Sequence, residues 1–141
     1  METLHLRMRE HSANGQKVAE HLSKHSMVER VAYPGTSSGL PKERADKYLS
    51  NGCGGLLGFE IKGGHEAGKK FINSLEMLYH VANIGDSRSL AIHPASTTHS
   101  QLNEEELASG GISSGYIRLS IGLEHIDDIL SDINQALTKA E

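Results

Sequence analysis

The sequence predicts an α+β domain: a small, three- to four-stranded, mostly antiparallel sheet with helices on one face. Three observations predict it. Residues 116–122 alternate polar and apolar side chains at period two, as a half-buried strand does, with Ile117, Leu119 and Ile121 on one face and Tyr116, Arg118 and Ser120 on the other. Stretches at the start, middle and end of the chain instead carry apolar residues at steps of three and four, the stripe of a helix with one buried side. Strands alternate with helices, but only some connections are long enough for parallel crossovers.

In chain order, residues 2–25 read as a helix whose stripe is Leu4, Met8, His11, Gly15, Val18 and Leu22. Only part of that stripe is apolar, so the helix is expected to be half solvated or packed against something outside this chain. It also starts without a Ser, Asp or Asn cap, as a helix cut from a longer one would. Residues 27–33 form a short strand ending at Pro34-Gly35. Pro41 suits the first turn of a short helix reaching Leu49. Residues 56–61 make a strand with Leu57, Phe59 and Ile61 on one face. Residues 65–80 make a second long helix with Ala67, Phe71, Leu75 and Leu78 as its stripe. The glycine-acid turn Gly85-Asp86 interrupts an apolar run, strand-like Ser89-Leu90-Ala91-Ile92 follows, and then a polar knot from His93 to His99. Asn103 and Glu106 have the spacing of a capping box for a short helix that stops at Gly110-Gly111. Gly122 releases the chain into a last helix with Ile126, Ile129, Leu130, Ile133 and Leu137 in register. Its acids, Glu124, Asp127 and Asp128, lie at the start and Lys139 near the end, in the sense the helix dipole favours.

Composition narrows the function classes. A chain of 141 residues that is 37% hydrophobic supports one core rather than two. The net charge of −4, with no block of like charge, argues against nucleic acid as a partner. A single cysteine, Cys53, excludes an intramolecular disulfide framework and suits a reducing, cytoplasmic setting. No apolar run reaches the length of a membrane span.

Few residues carry chemistry on their own pattern. Arg118 is a fixed cation in mid-strand on the face opposite the apolar one. A guanidinium grips a carboxylate through two parallel hydrogen bonds, which lysine cannot copy. A structural or surface salt bridge is the plainer reading of the residue alone. Asn83, beside Ile84-Gly85-Asp86, reads first as a turn former, and Thr98 as a loop-closing hydroxyl. The nine histidines are scattered, with no HxH, HExxH or Cys/His cluster, so no metal site is expected. Cys53 sits in a glycine loop with no base at fixed spacing, a poor nucleophile. Residues 52–55 do not form a phosphate loop, since no strand leads into them and no Lys-Ser/Thr follows. Neither Ser96 nor Ser120 lies in a GxSxG turn.

Five segments carry a resemblance: ETLHLRMREH, VERVAYPG, GGHEAGKKFINSL, NIGDSRSLAIHPASTTHSQL and GYIRLSIGLEHIDDIL. Together they resemble the C-terminal domain of the Cys/Met-metabolism family of pyridoxal-phosphate (PLP) enzymes, in particular its O-acetylhomoserine (or O-acetylserine) sulfhydrylase branch. The likeness covers essentially the whole chain but not the rest of such an enzyme, so the chain is expected to be a fragment. It implies the C-terminal domain of a PLP-dependent transferase of fold type I. Residues 1–25 would form a helix linking to an upstream large domain, and residues 26–141 the small substrate-side domain.

The resemblance also implies site residues. The arginine of the family's RLS-G-E motif holds the substrate α-carboxylate, and it falls on Arg118. Asn83 stands where the lyases begin their SLG motif with a serine that helps bind the same carboxylate. An amide can still donate there, and the departure favours the sulfhydrylase branch. Thr98 is placed to orient Arg118 or Asn83. The family's Schiff-base lysine lies upstream in a Ser-x-Thr-Lys context that Lys62, Lys69 and Lys70 lack. PLP is therefore expected in the full-length enzyme and not in this chain, which should be inactive alone. The implied reaction is γ-elimination of acetate from O-acetylhomoserine and addition of sulfide to give homocysteine, in methionine biosynthesis, by a homo-oligomer. A methionine γ-lyase or a cystathionine γ-synthase or lyase is the alternative within the family. A standalone, non-catalytic binding domain is the alternative outside it.

Overall fold

A computed structural model describes residues 2–141, apart from the side chains of Glu104 and Ala108. Met1, where the sequence suggests a helix cut short, lies outside the described residues. Five helices, α1 (Leu4–Leu22), α2 (Gly39–Tyr48), α3 (Gly64–Ser74), α4 (Glu104–Ser109) and α5 (Ile126–Ala140), alternate with five strands. The strands are β1 (Val28–Ala32), β2 (Leu56–Ile61), β3 (Tyr79–His80), β4 (Leu90–Ile92) and β5 (Tyr116–Ser120). They form one sheet in the order β1-β2-β5-β4-β3, antiparallel except for the β3·β4 pair. Helices α1, α3 and α5 pack together on one face.

The apolar core lies between that face and the helices. Period two puts Leu57, Phe59 and Ile61 of β2 and Ile117 and Leu119 of β5 into it, each at most 2% exposed. Ile129, Ile133 and Leu137 of α5 and Phe71 of α3 close over them from the helix layer. Phe59 and Phe71 meet edge to face at 5.4 Å between centroids, bridging sheet and helices. Asn103 and Glu106 form the reciprocal capping box: each backbone N–H donates to the other's side-chain oxygen at 2.9 Å.

The sheet has one strand more than predicted, and the helix expected over residues 65–80 is cut short to release it. Helix α3 ends at Ser74, and Leu75 is already extended. No glycine or proline marks the stop. The cause is tertiary: the Asp132 carboxylate on α5 accepts the backbone N–H groups of Glu76, Met77 and Leu78 at 2.8, 2.9 and 2.9 Å. Gln135 Nε2 donates to Ser74 O at 2.6 Å, satisfying a terminal carbonyl of α3. These bonds hold 76–78 out of the helix and turn Tyr79 and His80 into a short strand beside Leu90 and Ala91.

Helix α1 is also shorter than predicted, and of its predicted stripe His11, Gly15, Val18 and Leu22 are buried while the two N-terminal members are not. Val18, Ala19 and Leu22 are fully buried, whereas Leu4 and Met8 are 44% and 42% exposed. Two buried polar residues hold α1 to the end of β5. His11 Nδ1 donates to Ile121 O at 2.6 Å, and Asn14 Nδ2 donates to Gly122 O and Glu124 O at 3.3 and 3.1 Å. The apolar N-terminal turns of α1 stay uncovered within this chain.

Candidate functional site

The sheet face away from the helices carries the candidate site. Residues directly opposite in the ladder share a face, so Ala32, Gly58, Arg118 and Ile92 form one row across β1, β2, β5 and β4. Two small residues beside Arg118 leave a groove of about 170 Å³, lined by Ala32, Leu56, Leu57, Gly58, Tyr116 and Arg118. Gly58 is required by close approach: a Cβ there would run into the Tyr116 hydroxyl and ring. Tyr116 therefore lies over β2 and walls one side of the groove. Burial raises the pKa of its phenol, against the opposing pull of Arg118 and Arg30, so the groove wall is neutral. Gly58→Ala should push Tyr116 aside at a cost of about 1–3 kcal/mol, with Tyr116→Phe,Gly58→Ala no less destabilised because the ring itself collides. Thermal unfolding of the two variants checks this.

Arg118 is half-buried, and among the described residues it meets no carboxylate within ion-pair reach. Its one hydrogen bond there is long: Nη2 donates to Asn83 O at 3.4 Å. A guanidinium with spare donors, on a half-buried residue and facing a groove, is suited to a planar anion. The salt bridge that the bare sequence favours is not found among the described residues.

Asn83 sits at the rim, exposed. Its side-chain Oδ1 accepts from Ile84 N at 2.9 Å, so the residue does form the turn, and its carbonyl is what meets Arg118. The turn is held from three sides. Ser120 Oγ accepts from Gly85 N at 3.2 Å, and Arg7 Nη2 of α1 donates to Gly85 O at 2.7 Å. On the far side Arg88 binds Asp86 and lies 4.6 Å over the Tyr79 ring. Those Arg88 hydrogen bonds, side-chain and backbone, hold the Asp86 carboxyl down to about 2, so it is ionised throughout the neutral range. Behind the loop, the Glu124 carboxylate accepts from Ser89 N and Ser89 Oγ at 2.6 and 2.9 Å.

Thr98 is exposed and its Oγ1 bonds to His99 Nδ1 at 2.8 Å; among the described residues no hydrogen bond joins it to Arg118 or Asn83. The structure thus joins Arg118 to Asn83, and among the described residues no hydrogen bond joins Thr98 to either. Sequence reading missed Arg7, Ser120 and Tyr116 as supports of this region. Ser120 and Tyr116 could have been found, since period two puts them on the face of Arg118. Arg7 could not, because its reach to Gly85 spans 78 positions of sequence.

Among the described residues, no lysine lines the groove. Lys62 donates to Ser26 O, Lys69 pairs with Glu66, Lys42 with Asp46 and Lys139 with Glu76. No group of three or more His, Cys, Asp or Glu among them is placed to hold a metal ion. Among the described residues, no helix is long and apolar enough to cross a membrane.

The fold matches the crystal structure of a Campylobacter jejuni protein, described as an O-acetylhomoserine (thiol)-lyase carrying a pyridoxyl-lysine monophosphate, with a TM-score of 0.89 and 46% identity. That match covers 97% of this chain and 32% of the other. The model of the Cys/Met metabolism PLP-dependent enzymes matches residues 1–138, and the chain belongs to this family. Pyridoxal phosphate is accordingly the cofactor of the full-length enzyme. The O-acetyl-L-homoserine sulfhydrylase of Leptospira meyeri is 56% identical over 138 residues, 97% of this chain and 31% of that protein. An L-methionine gamma-lyase of Treponema denticola is 48% identical over 139 residues, 99% of this chain and 34% of that protein. The chain spans about a third of the length of these relatives.

Among the described residues, none that lines the groove is a lysine able to form a Schiff base with the cofactor. What they present is the Arg118 guanidinium with spare donors and the residues that position it.

Proposed function

We propose that this chain is the substrate-side C-terminal part of an O-acetylhomoserine sulfhydrylase-like enzyme, and that Arg118 binds the α-carboxylate of the amino-acid substrate. The observation that carries this reading is the half-buried guanidinium with no carboxylate partner among the described residues, facing a groove beside Ala32 and Gly58. The groove's 170 Å³ is small beside the roughly 300 Å³ at which whole ligand sites begin, which suits one end of a substrate. Fixing the carboxylate there orients the rest of the molecule toward the remainder of the enzyme, a positional contribution to rate. Asn83 assists from the rim, where its amide nitrogen is available to a carboxylate oxygen. Thr98 contributes only by shaping its own loop unless that loop moves onto the substrate.

Residues 1–25 link this part to a large upstream domain in the same reading, and residues 26–141 form the substrate-side domain. The exposed Leu4, Leu6 and Met8 support a covered N-terminal helix in the complete protein. The cofactor lysine comes from outside this chain, which is inactive alone. The complete enzyme is a cytoplasmic homo-oligomer that makes homocysteine from O-acetylhomoserine and sulfide. When bound, PLP supplies the electron sink for loss of the γ-substituent.

The Asn83-Ile84-Gly85 motif in place of Ser-Leu-Gly, and the 56% identity to a sulfhydrylase, support the sulfhydrylase over the lyase activity. The 48% identity to a methionine gamma-lyase keeps elimination as the second reading. The complete protein, assayed with O-acetylhomoserine and sulfide and separately with methionine alone, separates the two. Homocysteine formed much faster than methanethiol supports the sulfhydrylase; the reverse order assigns the lyase.

A further inference from the structure

His93 follows β4 at the point where the ladder with β5 can go no further. Ile92 pairs with Arg118, and Pro94, two residues on, has no N–H to donate. The His93 side chain takes over from the backbone. It is fully buried, with Nε2 2.8 Å from Ser114 O and Nδ1 2.9 Å from Ser96 Oγ. A carbonyl only accepts, so Nε2 carries the proton, and the neutral ring's Nδ1 accepts from the Ser96 hydroxyl. Burial lowers the pKa of the ring; the Ser114 carbonyl opposes this, and His65, His80 and Lys69 add to the lowering.

Room for the ring is built in. A Cβ on Gly68 of α3 would lie 2.6 Å from His93 Nε2, so only glycine there lets the imidazole reach Ser114. The His93 carbonyl meanwhile accepts from Thr97 Oγ1 and Ser96 N at 2.8 and 3.2 Å, and Pro94 O accepts from His99 N at 2.9 Å. One residue therefore ties together the loop after β4, helix α3 and the turn that enters β5.

We infer that His93 is a positioning residue for the substrate-carboxylate site: its imidazole fastens the entry of β5 to the end of β4 and so sets where Arg118 presents its guanidinium. The inference rests on the Arg118 reading above. His93 touches no substrate; it acts through the strand that carries Arg118.

The test uses the complete enzyme with four variants: His93→Leu, His93→Gln, Ser96→Ala and Arg118→Leu. Leucine fills the space and removes both hydrogen bonds, while glutamine can keep the donor to Ser114. His93→Leu should raise KM for the amino-acid substrate about tenfold, with kcat within about threefold and KM for sulfide unmoved. Glutamine should restore the amino-acid KM to within about threefold of wild type. A twofold or smaller change for His93→Leu, a loss confined to kcat, or no rescue by glutamine overturns the inference. Should His93→Leu not fold, Ser96→Ala stands in for it: a rise of about threefold in the amino-acid KM supports the role, and an unchanged KM overturns it. Arg118→Leu separates the two ideas. If it raises the amino-acid KM and the His93 and Ser96 variants do not, only the positioning role fails; if it does not, the Arg118 reading fails and this inference with it.

Discussion

Arg118→Leu in the complete enzyme should lower kcat/KM for the amino-acid substrate about a thousandfold. Truncating one side of a desolvated, hydrogen-bonded charge pair costs about 2–5 kcal/mol, because the other charge is left without its partner. Here the abandoned charge is the substrate carboxylate in a groove whose other walls are Ala32, Leu56, Leu57, Gly58 and the neutral Tyr116. Most of the loss should appear in KM, since the carboxylate is ionised in ground and transition states alike. Arg118→Lys should recover only about tenfold of it, because an ammonium cannot make the two parallel bonds that a guanidinium makes. Steady-state kinetics with the amino acid varied at saturating sulfide check both variants. Full recovery by lysine would reduce the role of Arg118 to a point charge.

The second large effect is on stability. Asp132→Asn should destabilise the fold by about 3 kcal/mol. The carboxylate takes three backbone N–H groups and Gln135 Nε2, and an amide can offer only one oxygen to them while turning its own N–H groups against the rest. Burial raises the Asp132 pKa, but the backbone bonds from Leu78, Glu76 and Met77 with that from Gln135 outweigh it, so the net shift is downward. A carboxyl with a depressed folded pKa stabilises fully above its unfolded value, near 4, and the contribution fades as pH falls through the lower folded value. Amide hydrogen exchange over residues 74–80 should therefore be about a hundredfold faster in the variant at pH 7. Wild type should approach the variant only in strong acid. Equal exchange in the two at pH 7 would mean that α3 stops at Ser74 for another reason.

That helix end shows what the sequence could and could not convey. Strand β5 and helix α5 were legible because burial follows a simple period in each: Ile117, Leu119 and Ile121 alternate, and Ile129, Ile133 and Leu137 step by four. The capping box was legible because both partners lie three residues apart. The end of α3 was not, because its cap arrives from Asp132, 54 to 56 residues away, and the residues it frees, Tyr79 and His80, form the unpredicted β3. The same holds for the site. Period two placed Arg118 on the open face, but its lack of a carboxylate partner among the described residues depends on neighbours that only the sheet order supplies. Thr98, expected to orient Arg118 or Asn83, is joined by a hydrogen bond to neither among the described residues. His93 read as one scattered histidine among nine, yet it is buried at the junction of three elements. Tertiary contacts decide those roles, and no local pattern encodes them.

The carboxylate anchor is tested most directly by changing the substrate and the protein together. Wild-type complete enzyme and Arg118→Leu would each be assayed with the amino-acid substrate and with its α-carboxamide, which keeps the shape and removes the charge. Wild type should prefer the acid over the amide about a thousandfold in kcat/KM, and Arg118→Leu should treat the two nearly alike. If the variant still prefers the acid by the wild-type factor, another residue holds the carboxylate and the assignment of Arg118 is wrong.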